Sequence, residues 1–270
     1  MSFGRIENYF ESMRRVMEFR FVLPDDARYM VNPDGSPNRF YSRPAKTLLL
    51  LNGYTHNSLE WLAHTQIFDL AGKYNVAVLM PSGENGFYLN REGGNEHFAD
   101  FVGDELIKYA SGRFSLSGKR EDQAVCGVSM GGFGSLHTGL AYPENFSRIA
   151  ALSPALILYE ISGAKKGFSN GGGDYGYYTR IFGDLDTVLE RDPNPEYLVK
   201  KLLDEGKDIP QIFMACGTED FLLGYNRRFH EFLGKLGVPC RYYESSGAHD
   251  YTFWNQYVEK AMLWLIGEDG

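Results

Sequence analysis

The sequence predicts a single α/β domain with a mainly parallel central sheet and helices on both faces. Three observations carry this expectation. First, apolar runs of strand length recur along the chain: "KTLLLLNG" (Lys46–Gly53), "NVAVLMPSG" (Asn75–Gly83) and "QAVCGVS" (Gln123–Ser129). Second, each run is continuous rather than alternating, which suits a strand buried on both faces. Third, segments of helical period separate the runs, as right-handed crossovers between parallel strands require. With 270 residues and neither repeat nor linker, the whole chain 1–270 reads as one domain.

Taken in order, "VMEFRFVLP" (Val16–Pro24) alternates like a half-exposed strand, and "NPDGSPN" (Asn32–Asn38) has turn chemistry. After the Lys46–Gly53 run comes "SLEWLAHTQIFDLAGK", expected as a helix capped by Ser58 with Leu59, Leu62, Ile67 and Leu70 on its apolar face. The Asn75–Gly83 strand leads into a loop rich in glycine and asparagine, "GENGFYLNREGGNEH", and then a helix, "FADFVGDELIKYASGRF". The Gln123–Ser129 strand runs into a helix that stops before Pro143. "FSRIAALSPAL" holds a short strand. Residues 155–200 read as a small loop-rich, cap-like insertion, with "SNGGGDYGYY" and "RDPNPEY" around a short helix. "IPQIFMACGTED" is a strand ending in a polar cluster, "YNRRFHEFLGKLG" a helix, "PCRYYESSGAHD" the last strand and "TFWNQYVEKAMLWLI" the closing helix.

Composition excludes several function classes. The net charge is −8 and lysines and arginines form no block, which argues against nucleic acid or an anionic membrane surface as partner. No apolar run approaches the roughly 20 residues of a membrane span. The N-terminal stretch mixes both charges around no apolar core, so no signal peptide is expected. Cys126, Cys216 and Cys240 lack metal-type spacing and read as free thiols, which suits a reducing, cytoplasmic setting.

One stretch stands apart. In "GVSMGGFG" (Gly127–Gly134), Ser129 lies among glycines that weaken any regular element. A strand enters it and a helix leaves it. A reversal this tight forces its middle residue into a strained conformation, and small residues two positions either side let it close. Gly127 and Gly131 occupy those positions in a G-x-S-x-G pattern. Such an elbow lifts the serine oxygen clear of the sheet's carboxyl edge, where the N–H groups opening the helix, Met130's first, could stabilise an oxyanion.

A nucleophilic serine needs a base, and the base an orienting acid. His56, His64 and His97 precede the serine, His137 lies inside the helix after it and His230 lies mid-helix. His249, in a glycine-containing loop after the last strand, is the candidate base. The acid should follow the preceding strand, where "CGTED" supplies Asp220, with its shorter side chain, and Glu219 as the fallback. Asp250 reads as a cap of the closing helix. A second oxyanion donor is expected after the Lys46–Gly53 strand: Gly53 permits close backbone approach, and the Tyr54 N–H is the candidate. Aromatic residues fall in the loops around this edge: Tyr54, Phe87, Tyr88, Tyr175, Tyr177, Phe221, Tyr251 and Trp254. Gly53, Tyr88 and Phe221 are the candidate substrate-binding residues.

Four pieces together, "LLLLNGYTHNSLEWL", "VAVLMPSG", "GVSMGGFGSL" and the pair "CGTEDFL" with "GAHDYTFW", resemble the putative-esterase family of α/β-hydrolases. That family holds S-formylglutathione hydrolases (esterase D), tributyrin-type esterases, feruloyl and acetyl-xylan esterases, and mycolyltransferases. The resemblance implies an α/β-hydrolase fold with Ser129 as nucleophile, Asp220 as acid, His249 as base and the backbone of Tyr54 and Met130 as the oxyanion hole. It implies a serine esterase acting on short-chain acyl or acetyl esters. S-formylglutathione-type thioester hydrolysis, carbohydrate acetyl or feruloyl ester hydrolysis and acyl transfer are the alternatives, and a non-enzymatic binding module is disfavoured. No metal or organic cofactor is expected. The partner is a small-molecule ester, and a homodimer or homotetramer is in keeping with the family. Asn52-Gly53 stands where many members have His-Gly, and residues 155–178 have no clear counterpart.

Overall fold

The computed structural model describes residues 1–91 and 93–268; Glu92, in the loop after the Asn75–Gly83 run, lies outside the described residues with Asp269 and Gly270. The strands are β1 (Ser2–Phe10), β2 (Arg15–Leu23), β3 (Lys46–Leu51), β4 (Val76–Pro81), β5 (Gln123–Val128), β6 (Arg148–Leu152), the short pair β7 (Ser169–Asn170) and β8 (Gly173–Asp174), then β9 (Gln211–Gly217) and β10 (Cys240–Ser245). The helices are α1 (Glu60–His64), α2 (Ile67–Tyr74), α3 (Phe98–Asp100), α4 (Leu106–Phe114), α5 (Met130–Ala141), α6 (Leu158–Ile161), α7 (Tyr175–Phe182), α8 (Pro195–Asp204), α9 (Leu223–Lys235) and α10 (Tyr251–Leu265).

An eight-stranded sheet in the order β1-β2-β4-β3-β5-β6-β9-β10 forms the frame. From β4 to β10 neighbours pair in parallel, and β2 joins β4, and β1 joins β2, antiparallel. The continuous apolar runs are explained by two cores. Leu49 and Leu51 of β3 enter one, under α3, α4, α5 and α9. Leu48 and Leu50 enter the other, under α1, α2 and α10. Because side chains alternate along a strand, a strand covered on both faces must be apolar at every position. In register, Leu51 of β3 and Ala151 of β6 flank Gly127 of β5. The loops that follow these strands therefore gather at one edge of the sheet.

The structure departs from the sequence reading in two places. β1 was not anticipated; it is an edge strand, largely open to solvent, whose inward contacts fall on few residues such as Phe10. The segment after β3 forms two helices rather than one, and Ser58 does not cap it: its Oγ donates to Glu18 Oε1 at 2.7 Å. The break is at Thr65, where the backbone turns extended; its hydroxyl donates to the Trp61 carbonyl (2.6 Å) beside its own N–H (3.2 Å) and accepts from the Ile67 N–H (3.2 Å) in place of a helical carbonyl. Leu59 is accordingly exposed, whereas Ile67 and Leu70 are buried. Residues 155–200 hold α6, the β7–β8 pair, α7 and the start of α8, with Leu158, Ile161, Tyr178, Ile181 and Phe182 buried in the first core.

Candidate active site

At the end of β5 the chain turns sharply into α5 at Ser129, whose backbone is at φ 54° and ψ −118°. A β-carbon residue rarely occupies this region, and holding one there costs about 1–3 kcal/mol. The surroundings explain why it persists. A Cβ on Gly127 would collide with the Gly131 carbonyl, and one on Gly131 with the Leu51 carbonyl, so the elbow closes only with glycine at both positions. Ser129 N–H donates to Leu152 O (2.9 Å), while its carbonyl accepts from Phe133 and Ala155 N–H (3.0 Å each). The strained residue is thus held between β6 and the new helix.

His249, in the loop after β10, has Nε2 2.9 Å from Ser129 Oγ and Nδ1 2.8 Å from Asp220 Oδ2. Asp220 follows β9, and its side chain is fully buried. Burial pushes its carboxyl up, but the hydrogen bonds from His249 and the Leu222 N–H outweigh this and hold it below the usual carboxylate range. Aromatic rings flank the imidazole, Phe221 at 4.7 Å and Trp254 at 5.0 Å between centroids. Trp254 is itself fixed by a 3.0 Å bond from its indole N–H to Ser153 Oγ.

Glu219 does not reach the imidazole. Its carboxylate accepts the Gly247 N–H and the Thr218 hydroxyl and so braces the loop that carries His249. Asp250 caps α10 by accepting the Phe253 N–H at 3.1 Å.

The loop after β3 is tightly bonded. Asn52 N–H donates to Tyr88 Oη (2.8 Å), Gly53 N–H to Glu60 Oε2 (2.6 Å), Thr55 N–H to Asn85 Oδ1 (2.7 Å) and His56 N–H to Gly53 O (3.3 Å). Among the described residues, the Tyr54 N–H has no such acceptor. Met130 N–H opens α5, where a helix has no internal acceptor to offer. Asn52 is buried and links the whole: its amide donates to the Gly53 and His56 carbonyls, and its Oδ1 accepts from Gly83 N–H and the Tyr88 hydroxyl.

A cavity of about 760 Å³ opens over Ser129. Gly53, Tyr54, Met130, Phe221 and His249 line it, with Phe87, Ile157, Tyr225, Tyr251 and Trp254 supplying much of its apolar wall. Tyr88 is a correction to the sequence reading. It is fully buried behind the loop, packed against Gly83 and Gly134, and its hydroxyl serves Asn52 rather than the cavity. Tyr175 and Tyr177 also lie off the lining; Tyr177 instead donates to Asn85 O at 2.7 Å.

The sequence reading missed Glu60, Glu160 and Asn170, all on the lining. Glu160 accepts from Asn170 Nδ2 (2.6 Å) and the Tyr225 hydroxyl (2.9 Å), and Tyr54 Oη donates to Gly172 O (3.0 Å) across the mouth. No sequence signal distinguishes these carboxylates from ordinary surface ones. Among the described residues no group of three His, Cys, Asp or Glu side chains is arranged to hold a metal ion, and no helix is long and apolar enough to cross a membrane.

Comparison with known proteins gives consistent findings. A family model described as "Putative esterase" matches residues 11–265. An acetyl esterase from Caldicellulosiruptor saccharolyticus is 40% identical over 268 residues, covering 98% of both chains. Among solved structures, the fluorophosphonate-binding serine hydrolase FphF of Staphylococcus aureus superposes with a TM-score of 0.83 at 26% identity, covering 99% of both chains. The S-formylglutathione hydrolase FrmB of the same organism gives 0.80 at 26% identity, covering 98% of this chain and 99% of that one.

Proposed function

The chain belongs to the Putative esterase family and is an esterase, and on that premise we propose that it hydrolyses short acyl esters, acetyl esters foremost, through a Ser129–His249–Asp220 triad and an acyl-enzyme. The observation that carries this reading is the His249 ring, held by Asp220 on one nitrogen and within 2.9 Å of Ser129 Oγ on the other. His249 takes the serine proton as Oγ attacks the acyl carbon, and returns it to the departing alcohol. Asp220 holds the tautomer with the proton on Nδ1 and stabilises the imidazolium as it forms. The amides of Tyr54 and Met130 receive the oxyanion, each donor lowering the barrier by about 3 kcal/mol. Water activated by His249 then releases the acid. The preference for acetyl follows the 40% identical relative, an acetyl esterase.

The test is hydrolysis of p-nitrophenyl acetate, butyrate and octanoate beside the Ser129→Ala protein. Acetate is expected to turn over best and the alanine protein not at all above background. An optimum at octanoate overturns the short-acyl part, and equal rates in both proteins overturn the serine mechanism. Acyl transfer shares the same intermediate, and added alcohol measures it as ester product.

The charge of the lining separates esters from glutathione thioesters. Glu60, Glu160 and Asp250 line the cavity, and no lysine or arginine does among the described residues. The two carboxylates of a glutathione group find no cation here and face like charge. A neutral alcohol is therefore the favoured leaving group, and kcat/KM for a neutral acetyl ester is expected to exceed that for S-formylglutathione.

A further inference from the structure

We infer that Glu60 is a positioning residue for the oxyanion hole: its carboxylate holds the Gly53 amide and thereby sets the direction of the next one, that of Tyr54. The inference rests on the reading of the Tyr54 N–H as an oxyanion donor.

A glutamate in the first turn of a helix would ordinarily point to solvent, but the Glu60 side chain is only 1% exposed. A buried carboxylate is costly unless hydrogen bonds satisfy it. Burial pushes the Glu60 carboxyl up, and the Gly53 N–H opposes that shift. The Gly53 bond is short, 2.6 Å to Oε2, and His56 Nε2 is 3.8 Å from the other oxygen. The carboxylate lies directly over the backbone: a Cβ on Gly53 would be 3.2 Å from Glu60 Oε1 and 3.6 Å from the Val128 side chain. Gly53 is therefore wedged between Glu60 and the residue preceding the nucleophile.

The other anchors of the loop, Tyr88, Asn85 and the Gly53 carbonyl, hold the amides of Asn52, Thr55 and His56. Glu60 holds the amide of the Asn52–Gly53 peptide, one Cα before the peptide that carries the Tyr54 N–H; the carbonyl of that next peptide accepts from the Asn52 side chain (2.8 Å) and the His56 N–H (3.3 Å), so the two anchors together fix the backbone on both sides of Gly53. Without Glu60, a buried N–H loses its acceptor, and its peptide must rotate to find another. That rotation changes the backbone angles at Gly53, a residue with no Cβ to resist it, and so shifts the adjoining peptide that carries the Tyr54 N–H. Displacements of about 1 Å at such a group cost on the order of 100-fold in rate.

Three variants test this. Glu60→Met keeps the volume and removes the acceptor, Glu60→Gln keeps an acceptor oxygen, and Glu60→Ala replaces Glu60→Met should the latter not fold. Rates on p-nitrophenyl acetate are taken per active site, counted by end-point fluorophosphonate titration. Glu60→Met is expected to lose about 10- to 100-fold in kcat with KM within about two-fold, and Glu60→Gln to recover most of the loss. A merely structural role would lower the titratable fraction and melting temperature but leave kcat per site intact, and that result overturns the inference. So does a Glu60→Gln as impaired as Glu60→Met. Amide exchange of residues 52–57, faster in Glu60→Met than in wild type, reads the positioning without turnover; unchanged exchange overturns it. Failure of the wild type to outpace Ser129→Ala would instead strike the ester mechanism, with the exchange measurement still deciding the role of Glu60.

Discussion

Of the three histidine–aspartate pairs among the described residues, His97–Asp100 is open to solvent on both sides, and of the two with a buried member only one is placed as the candidate base. His249 meets Asp220 at 2.8 Å and His137 meets Asp192 at 3.1 Å, so the pair bonds themselves are alike. The order of burial is reversed. Asp220 is fully buried while the His249 side chain, 17% exposed, borders the cavity. His137, on α5, is 1% exposed while the Asp192 side chain is 63% exposed. The free nitrogens differ accordingly: His249 Nε2 reaches Ser129 Oγ, whereas buried His137 Nδ1 has no hydrogen-bond partner among the described residues and its ring stacks on Phe133. A carboxylate beside an imidazole is thus not enough. The carboxylate must be at the closed end and the imidazole at the open one.

The largest effects should break this contrast if it is false. His249→Ala is expected to lower kcat by at least about 10⁴-fold on p-nitrophenyl acetate, because serine and base act as a unit. His137→Leu, measured alongside, should keep kcat per titrated site within about three-fold while shifting the melting temperature, as packing changes do away from the chemistry. Comparable losses in both variants would erase the distinction. Asp220→Asn comes next, at about 10³- to 10⁴-fold, from the loss of the tautomer that leaves Nε2 as acceptor; Asp192→Asn should leave turnover nearly untouched.

A smaller effect sharpens the comparison through pH. The hydrogen bond from His137 holds the Asp192 carboxyl below its usual range, against the opposing pull of burial. A lowered folded-state pKa means that the stabilisation is fully present above the unfolded carboxylate value and is lost as pH falls through the folded one. With Asp192 largely open to solvent, the pair is worth at most about 1 kcal/mol. The melting-temperature gap between wild type and Asp192→Asn should therefore be small, constant at neutral pH and closed in acid. A gap that widens in acid would reverse the sign of this assignment.

Much of the frame is legible because burial writes a pattern into the chain. β4 and β5 are buried at every position and β3 at all but its first, Lys46, so their continuous apolar runs stand out. β1 carries the opposite burden: outermost in the sheet, it needs few apolar residues, and its mixed charges resemble loop. The split at Thr65 escapes the pattern because a single hydroxyl competing for backbone groups leaves the helical period of its neighbours unchanged. At the site, Ser129 is legible because its turn demands Gly127 and Gly131, and that demand is local. Glu219 and Asp220 are adjacent in sequence, and the choice between them depends on which way each side chain leaves the end of β9, which the bonds to Gly247 and His249 reveal only in the folded chain.

Taken by itself, the sequence determined the alternation of buried strands and helices, the elbow at Ser129 and the loops able to carry its partners, because these depend on hydrophobic period and on glycine at positions where no Cβ fits. Tertiary structure decided the rest: that Tyr88 stands behind the cavity rather than in it, that Glu60 turns inward onto Gly53, and that Asn170 and Glu160 join the wall. Each of these depends on which groups from distant segments share a buried space, and an isolated tyrosine or glutamate reads the same in sequence whether it faces water or a backbone amide.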